Sequence, residues 1–213
     1  MTNFVLVHGA WHGGWCWKRV AQRLRAAGHG VFAPTLSGLG GRRHLAAPGI
    51  GLHTHIADVV GLMEEEELAG AVLCGHSYGG MVITGAAQAV VGRIAALVYL
   101  DAFIPKDGDS LESIVGVDNF RKRREIAEKH GEGWWLPAPK AEIWGVESAD
   151  DRAWIERHLT PQPLATFTET VRHTDPLARI PTLVYVHSEG NSPSPFDACA
   201  EADTWDVRTA QGL

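Results

Sequence analysis

The chain has 213 residues, 45% of them hydrophobic, and a formal net charge of −6. Its length suits one domain with a proper core, and its acidic balance argues against nucleic acid as a partner. No run approaches membrane-spanning length and no basic region leads into a long apolar stretch at the N-terminus. Cys16, Cys74 and Cys199 lack metal-ligand spacing and suit reduced thiols, so a cytoplasmic protein without membrane attachment is expected.

In chain order, residues 4–7 form a short apolar run that reads as a strand. It leads directly into the glycine-rich string His8-Gly9-Ala10-Trp11-His12-Gly13-Gly14-Trp15. Trp17, Val20, Ala21 and Leu24 recur at helical spacing and Gly28 supplies a stop, which predicts an amphipathic helix. A second strand is expected over 31–33, closed by Pro34, and a helix along Ile56, Val59, Val60 and Met63. The acidic run 64–67 at the end of that helix reads as a solvated face. Residues 71–74 form the next strand, 81–90 a helix, and 94–100, 182–186 and 204–210 three more strands. Strands alternating with helices predict an α/β fold, a doubly wound and mostly parallel sheet whose ligands bind at the carboxyl ends of its strands.

The most informative string is Gly75-His76-Ser77-Tyr78-Gly79. It has the form G-x-S-x-G of a nucleophile elbow, and it stands where that motif belongs, between a short buried strand and a helix. A sharp strand-to-helix turn strains the serine backbone and leaves no room for side chains at its neighbours, which the glycines satisfy. The helix start also turns unpaired N–H groups toward the serine, making Tyr78 N–H a candidate oxyanion donor. The same five residues could be a plain glycine-rich turn. A second glycine-rich loop at the end of the first strand, with Ala10 N–H as the other oxyanion donor, favours the serine-hydrolase reading.

With these blocks the chain resembles the α/β-hydrolases that include plant methyl esterases, hydroxynitrile lyases and related bacterial esterases. The resemblance is carried by residues 4–15, by Ala27-Gly28-His29, by Gly75-His76-Ser77-Tyr78-Gly79-Gly80-Met81 and by Val98-Tyr99-Leu100-Asp101-Ala102-Phe103-Ile104-Pro105. It implies a core in two parts, 1–103 and 179–213, with a helical lid inserted over 104–178. The lid stretch is rich in tryptophan and proline, and Trp135 is expected, with His12 and Phe103, to line an apolar pocket. At least half of the lid tryptophans are expected to pack the lid itself. The basic run 121–124 reads as a solvated helix face.

The plant esterases of this group keep the triad acid after the penultimate strand, where this chain has Gly190. Asp101, at the end of the strand after the nucleophile helix, is the expected acid, ahead of Glu189 and Asp197; it could instead cap a loop by accepting backbone N–H bonds. The resemblance places the catalytic histidine after the last strand, a few residues past a glycine. The chain reads Ala210-Gln211-Gly212-Leu213 there, so that histidine and its covering helix are expected beyond Leu213. His8, His12, His76 and His187 read as structural, with pocket lining the alternative for His12 and approach to the site the alternative for His187.

The activity implied is hydrolysis of a small to medium apolar or aromatic ester through an acyl-enzyme, with no cofactor and no metal. A hydroxynitrile lyase is the nearest alternative, but those enzymes tend to carry threonine where this chain has Gly9. A ligand-binding protein that keeps the pocket and lacks the base is the alternative of another class.

Overall fold

A computed structural model of the chain describes residues 1–173, 176–189, 194–200 and 206–211. The elements are β1 (Asn3–Val7), α1 (Lys18–Ala26), β2 (Gly30–Phe32), α2 (Leu52–Glu65), β3 (Ala71–Ser77), α3 (Gly79–Val90) and β4 (Ile94–Ala102). After β4 come α4 (Leu111–Val115), α5 (Val117–His130), β5 (Trp135–Leu136), α6 (Ala149–His158), β6 (Gln162–Pro163) and α7 (Ala165–Thr168). The chain then returns through β7 (Thr182–Glu189), α8 (Asp197–Ala200) and β8 (Asp206–Gln211).

Six strands form one sheet in the order β2-β1-β3-β4-β7-β8, and every neighbouring pair is parallel. Parallel strands need crossovers, and the helices between them cover the sheet faces. The carboxyl ends of β1, β3, β4 and β7 therefore share one edge, which brings together residues far apart in sequence. The small ribbon β5-β6 is antiparallel and lies in the segment between β4 and β7.

The core centres on β3 and α3. Ten of the twelve residues of α3 are buried, because the helix lies between the sheet and α2. Ile56 of α2 sits where a Cβ on Gly85 would be, 2.3 Å from its Cδ1, so the two helices approach closely only because Gly85 lacks a side chain. Val59 and Met63 continue that contact, each with 0% exposure.

The expected elements appear with small displacements. β2 begins one residue earlier than the apolar run, since its pairing with β1 starts at Asn3 and Gly30. Val20, expected on the apolar face of α1, is 42% exposed, while Trp17 and Ala21 are buried. Of the strand expected over 204–210, residues 204 and 205 lie outside the described region. Trp144 and Trp154 do not build a separate core: Trp144 packs on Trp11 and His12, and Trp154 on Trp15.

At the first turn of α3, a Cβ on Gly80 would lie 2.1 Å from the carbonyl oxygen of Phe103, which is backbone and cannot step aside. Gly80→Ala should therefore destabilise the fold by about 1–3 kcal/mol, as overpacking does, read as a lower urea midpoint at unchanged slope.

Candidate active site

Ser77 ends β3 with φ +53°, a left-handed backbone that a non-glycine residue adopts at a cost of about 1–3 kcal/mol. Tyr78 follows at φ −53° and opens α3. The reversal is tight enough that a Cβ on Gly75 would stand 2.6 Å from the carbonyl oxygen of Gly79. A Cβ on Gly79 would meet the carbonyls of Val7 and His8 at 2.8 and 2.9 Å, so the elbow is pressed against the exit of β1. Phe103 N–H donates to Ser77 O at 3.2 Å and ties the turn to β4.

The loop after β1 lies directly against this turn. A Cβ on Gly9 would be 3.0 Å from His76 Nδ1 and 3.2 Å from Ser77 Cβ, so the backbone at Gly9 runs beside the serine. Ala10 is buried at 6% exposure. Trp11 has φ +62°; its N–H donates to Gln162 Oε1 at 2.8 Å and its carbonyl accepts from Thr160 N–H at 3.0 Å. His12 donates from Nδ1 to Ala10 O at 2.7 Å, stacks on Trp15 and meets Trp144 edge-on. Burial pulls its pKa below 6.5, against the opposing pull of the bond to Ala10. Sequence reasoning thus finds Ser77, Tyr78, Ala10 and His12 on two adjoining turns.

The other expected residues fall elsewhere. Phe103 is 8% exposed and packs on Phe196 with ring centroids 5.0 Å apart. Trp135 lines a cleft of about 240 Å³ with Trp134, Pro161, Pro163 and Arg43, and Ser77, Ala10 and His12 are not part of that lining. Asp101 sits at the end of β4 with φ +38°, one residue before Ala102, which is in register with Ser77. Its Oδ1 accepts His187 Nδ1–H at 2.9 Å and Ser188 N–H at 3.0 Å. On the other side of the ring, His187 Nε2 is 3.2 Å from Asp197 Oδ1. Gly190 lies outside the described residues, and of Glu189 only the backbone is described.

Sequence reasoning raised the approach of His187 to the site but not its pairing with two carboxylates, and it missed His55. His187 follows Val186 on β7, and Val186 is in register with Leu100, so the parallel ladder sets His187 beside Asp101; the ladder was inferable, the carboxylate on the far side was not. His55 is buried in α2 between Tyr78 and Ser37. Since Ser37 O can only accept, His55 Nε2 carries the hydrogen and Nδ1 accepts from the Tyr78 hydroxyl at 2.9 Å. Asp58 holds the same corner, accepting from Ser37 N–H and Oγ–H and from Arg42.

Three rings around the turn stay neutral in the fold, His8 and His55 fully buried and His76 partly so. Burial lowers His8 to about 3, and His55 and His76 to about 4. His8 shows the tautomer: Leu36 N–H donates to its Nε2, so Nδ1–H points to Gly9 O. In the unfolded chain these rings take a proton near pH 6.5, whereas in the folded chain they resist until pH 3–4. The unfolded state then binds more protons, so stability should be full above pH 6.5 and fall as pH drops toward 4. The slope is about 1.4 kcal/mol per pH unit for each histidine. Urea unfolding at pH 7.5 and 5.5 measures it; equal stabilities would contradict burial of neutral rings.

Among the described residues no three His, Cys, Asp or Glu side chains converge as a metal site, and no helix is long and apolar enough to cross a membrane. The parallel sheet, the elbow at Ser77 and the adjoining loop are the frame of an α/β hydrolase. Residues 4–212 match the model of the alpha/beta hydrolase family, and the chain belongs to that family.

Its relatives include a carbendazim hydrolyzing esterase of Nocardioides sp. (strain SG-4G), 44% identical over 207 residues. That match covers 92% of this chain and 84% of the relative. Methylesterase 2 of Arabidopsis thaliana is 32% identical over 146 residues, which span 62% of this chain and 48% of the plant protein. Among solved structures, an extracellular alpha/beta-hydrolase from a Paenibacillus species superposes with a TM-score of 0.87 at 22% identity. It covers 100% of this chain and 90% of that one, a likeness of fold.

Proposed function

We propose that the protein is a serine carboxylesterase acting on small to medium apolar or aromatic esters. The observation that carries the reading is the left-handed Ser77 at the strand-to-helix turn, with the backbone at Gly9 so close that a Cβ there would be 3.2 Å from Ser77 Cβ. Relatives named as esterases support the same reaction class. In this reading a histidine takes the Ser77 proton as Oγ attacks the ester carbonyl, and the N–H groups of Ala10 and Tyr78 hold the tetrahedral oxyanion. Collapse breaks the acyl–oxygen bond and the histidine protonates the leaving alcohol. Water then repeats the sequence on the acyl-enzyme and releases the acid and Ser77.

The base in this reading is the histidine that the resemblance places after the last strand. His187 is set aside because a general base needs a lone pair turned to the serine, and its ring nitrogens face Asp101 and Asp197. Asp101 is assigned as the acid because it ends the strand beside Ser77 and its carboxylate is already oriented. The lyase alternative is weaker here. A threonine at position 9 would need room that His76 and Ser77 occupy, so the loop offers no hydroxyl there.

Ser77→Ala should lower kcat by about 10^6 on p-nitrophenyl butyrate, with carbendazim assayed beside it because the 44% identical relative is named for it. Turnover unaffected by Ser77→Ala would sink the reading, and a pure binding protein would give none. Asp101→Asn should cost about 10^4 in kcat if Asp101 orients the base. A loss of stability at unchanged kcat would instead make Asp101 only the tie between β4 and β7.

A further inference from the structure

The peptide groups around Ala10 are held one by one. The oxygen of the Gly9–Ala10 peptide accepts His8 Nδ1–H at 2.8 Å. The next peptide is gripped at both ends, its oxygen by His12 Nδ1–H and its N–H by Gln162 Oε1. Trp11 needs that grip, because a bulky residue at φ +62° persists only where its surroundings over-determine it. Gln162 comes from β6, about 150 residues along the chain, and has 0% exposure.

Only an amide fits this position. Trp11 N–H can only donate, so Oε1 faces it, and Nε2 then faces Thr166 Oγ1 at 2.7 Å. Thr166 spends its own hydrogen on Pro163 O at 2.6 Å and so must accept from the glutamine. A glutamate would lose the donor and bury a charge; a leucine would leave Trp11 N–H unpaired. The same short stretch adds Thr160, which donates to Trp11 O and accepts from Gly40 N–H. Phe167, with 0% exposure, lies edge-on to both Trp11 and Tyr78 at 5.7 and 5.6 Å. The stretch 160–167 therefore touches the neighbour of one proposed oxyanion donor and the side chain of the other.

We propose that Gln162 is a positioning residue: its buried amide fixes the Ala10–Trp11 peptide and so aims Ala10 N–H at the oxyanion formed on Ser77. This inference rests on the serine-esterase reading and makes the segment between β4 and β7 part of the oxyanion machinery. A donor displaced by an ångström can cost on the order of a hundred-fold in rate, and transition-state charge feels it more than ground-state binding does.

The test compares the parent, Gln162→Leu and Thr166→Val in the form of the protein that shows Ser77-dependent ester turnover. Active sites are counted by fluorophosphonate titration. Per active site, Gln162→Leu should lose about 10- to 100-fold in kcat with KM changed less than about threefold. A trifluoromethyl ketone, which forms an oxyanion on Ser77, should lose affinity by the same factor, while the matching methyl ketone should not. Thr166→Val, which releases the amide to rotate, should show the same pattern at smaller size. If Gln162→Leu lowers stability or the count of active sites while kcat per site stays parental, Gln162 is a packing residue and the inference fails. The same holds if both ketones weaken equally. Absence of Ser77-dependent turnover in the parent would defeat the esterase reading itself, and this inference with it.

Discussion

Ser77 can hold its left-handed backbone only because three chain segments pass within van der Waals distance of one another without side chains between them. Gly75 faces Gly79, Gly79 faces the carbonyls that end β1, and Gly80 faces the carbonyl of Phe103 after β4. The three close approaches lock the exits of β1, β3 and β4 together. Strain in the serine turn is tolerated because packing on all sides leaves no relaxed alternative. The position of the loop after β1, the start of α3 and the course of the chain beyond β4 all follow from that junction.

Around the junction, polarity is handled by neutral imidazoles. His8 accepts from Leu36 N–H and donates to Gly9 O, and His55 joins Tyr78 to Ser37. A neutral imidazole is a donor and an acceptor in one rigid ring, so it can satisfy two buried backbone or hydroxyl groups without bringing a charge. The cost is that these rings must stay unprotonated, which makes the folded chain acid-sensitive. His187 lies between two carboxylates at the sheet edge and joins β4, β7 and the start of α8.

The segment between β4 and β7 is joined to the hydrolase core through specific bonds as well as apolar contact. Gln162 and Thr160 take both backbone polar groups of Trp11, while Trp144 and Trp154 cover the aromatic rings of the same loop. The basic run on α5 remains a largely solvated face, with Arg124 on Glu112 and Arg121 on Asp118, though Arg123 lies over the ring of Phe167. Of the tryptophans in that segment, Trp144 and Trp154 pack against the loop after β1, while Trp134 and Trp135 line the cleft beside Pro161 and Pro163.

What was legible in the sequence is what depends on neighbours along the chain. The glycine spacing about Ser77, the apolar runs that became β1, β3, β4 and β7, and the helical spacing of Val59 and Met63 each express a local rule of backbone sterics or periodicity. These were enough to place Ser77, Tyr78 and Ala10 on two turns at one sheet edge. Tertiary structure alone decided who meets whom across long gaps. Nothing near Gln162 in sequence hints at Trp11, nothing near Asp197 hints at His187, and the burial of His55 against Tyr78 depends on how α2 lies on α3. Such contacts are set by the closing of the parallel sheet and the return of the chain from β4 to β7. A hydrogen bond between side chains records only where two segments end up, and leaves no periodic trace in either one.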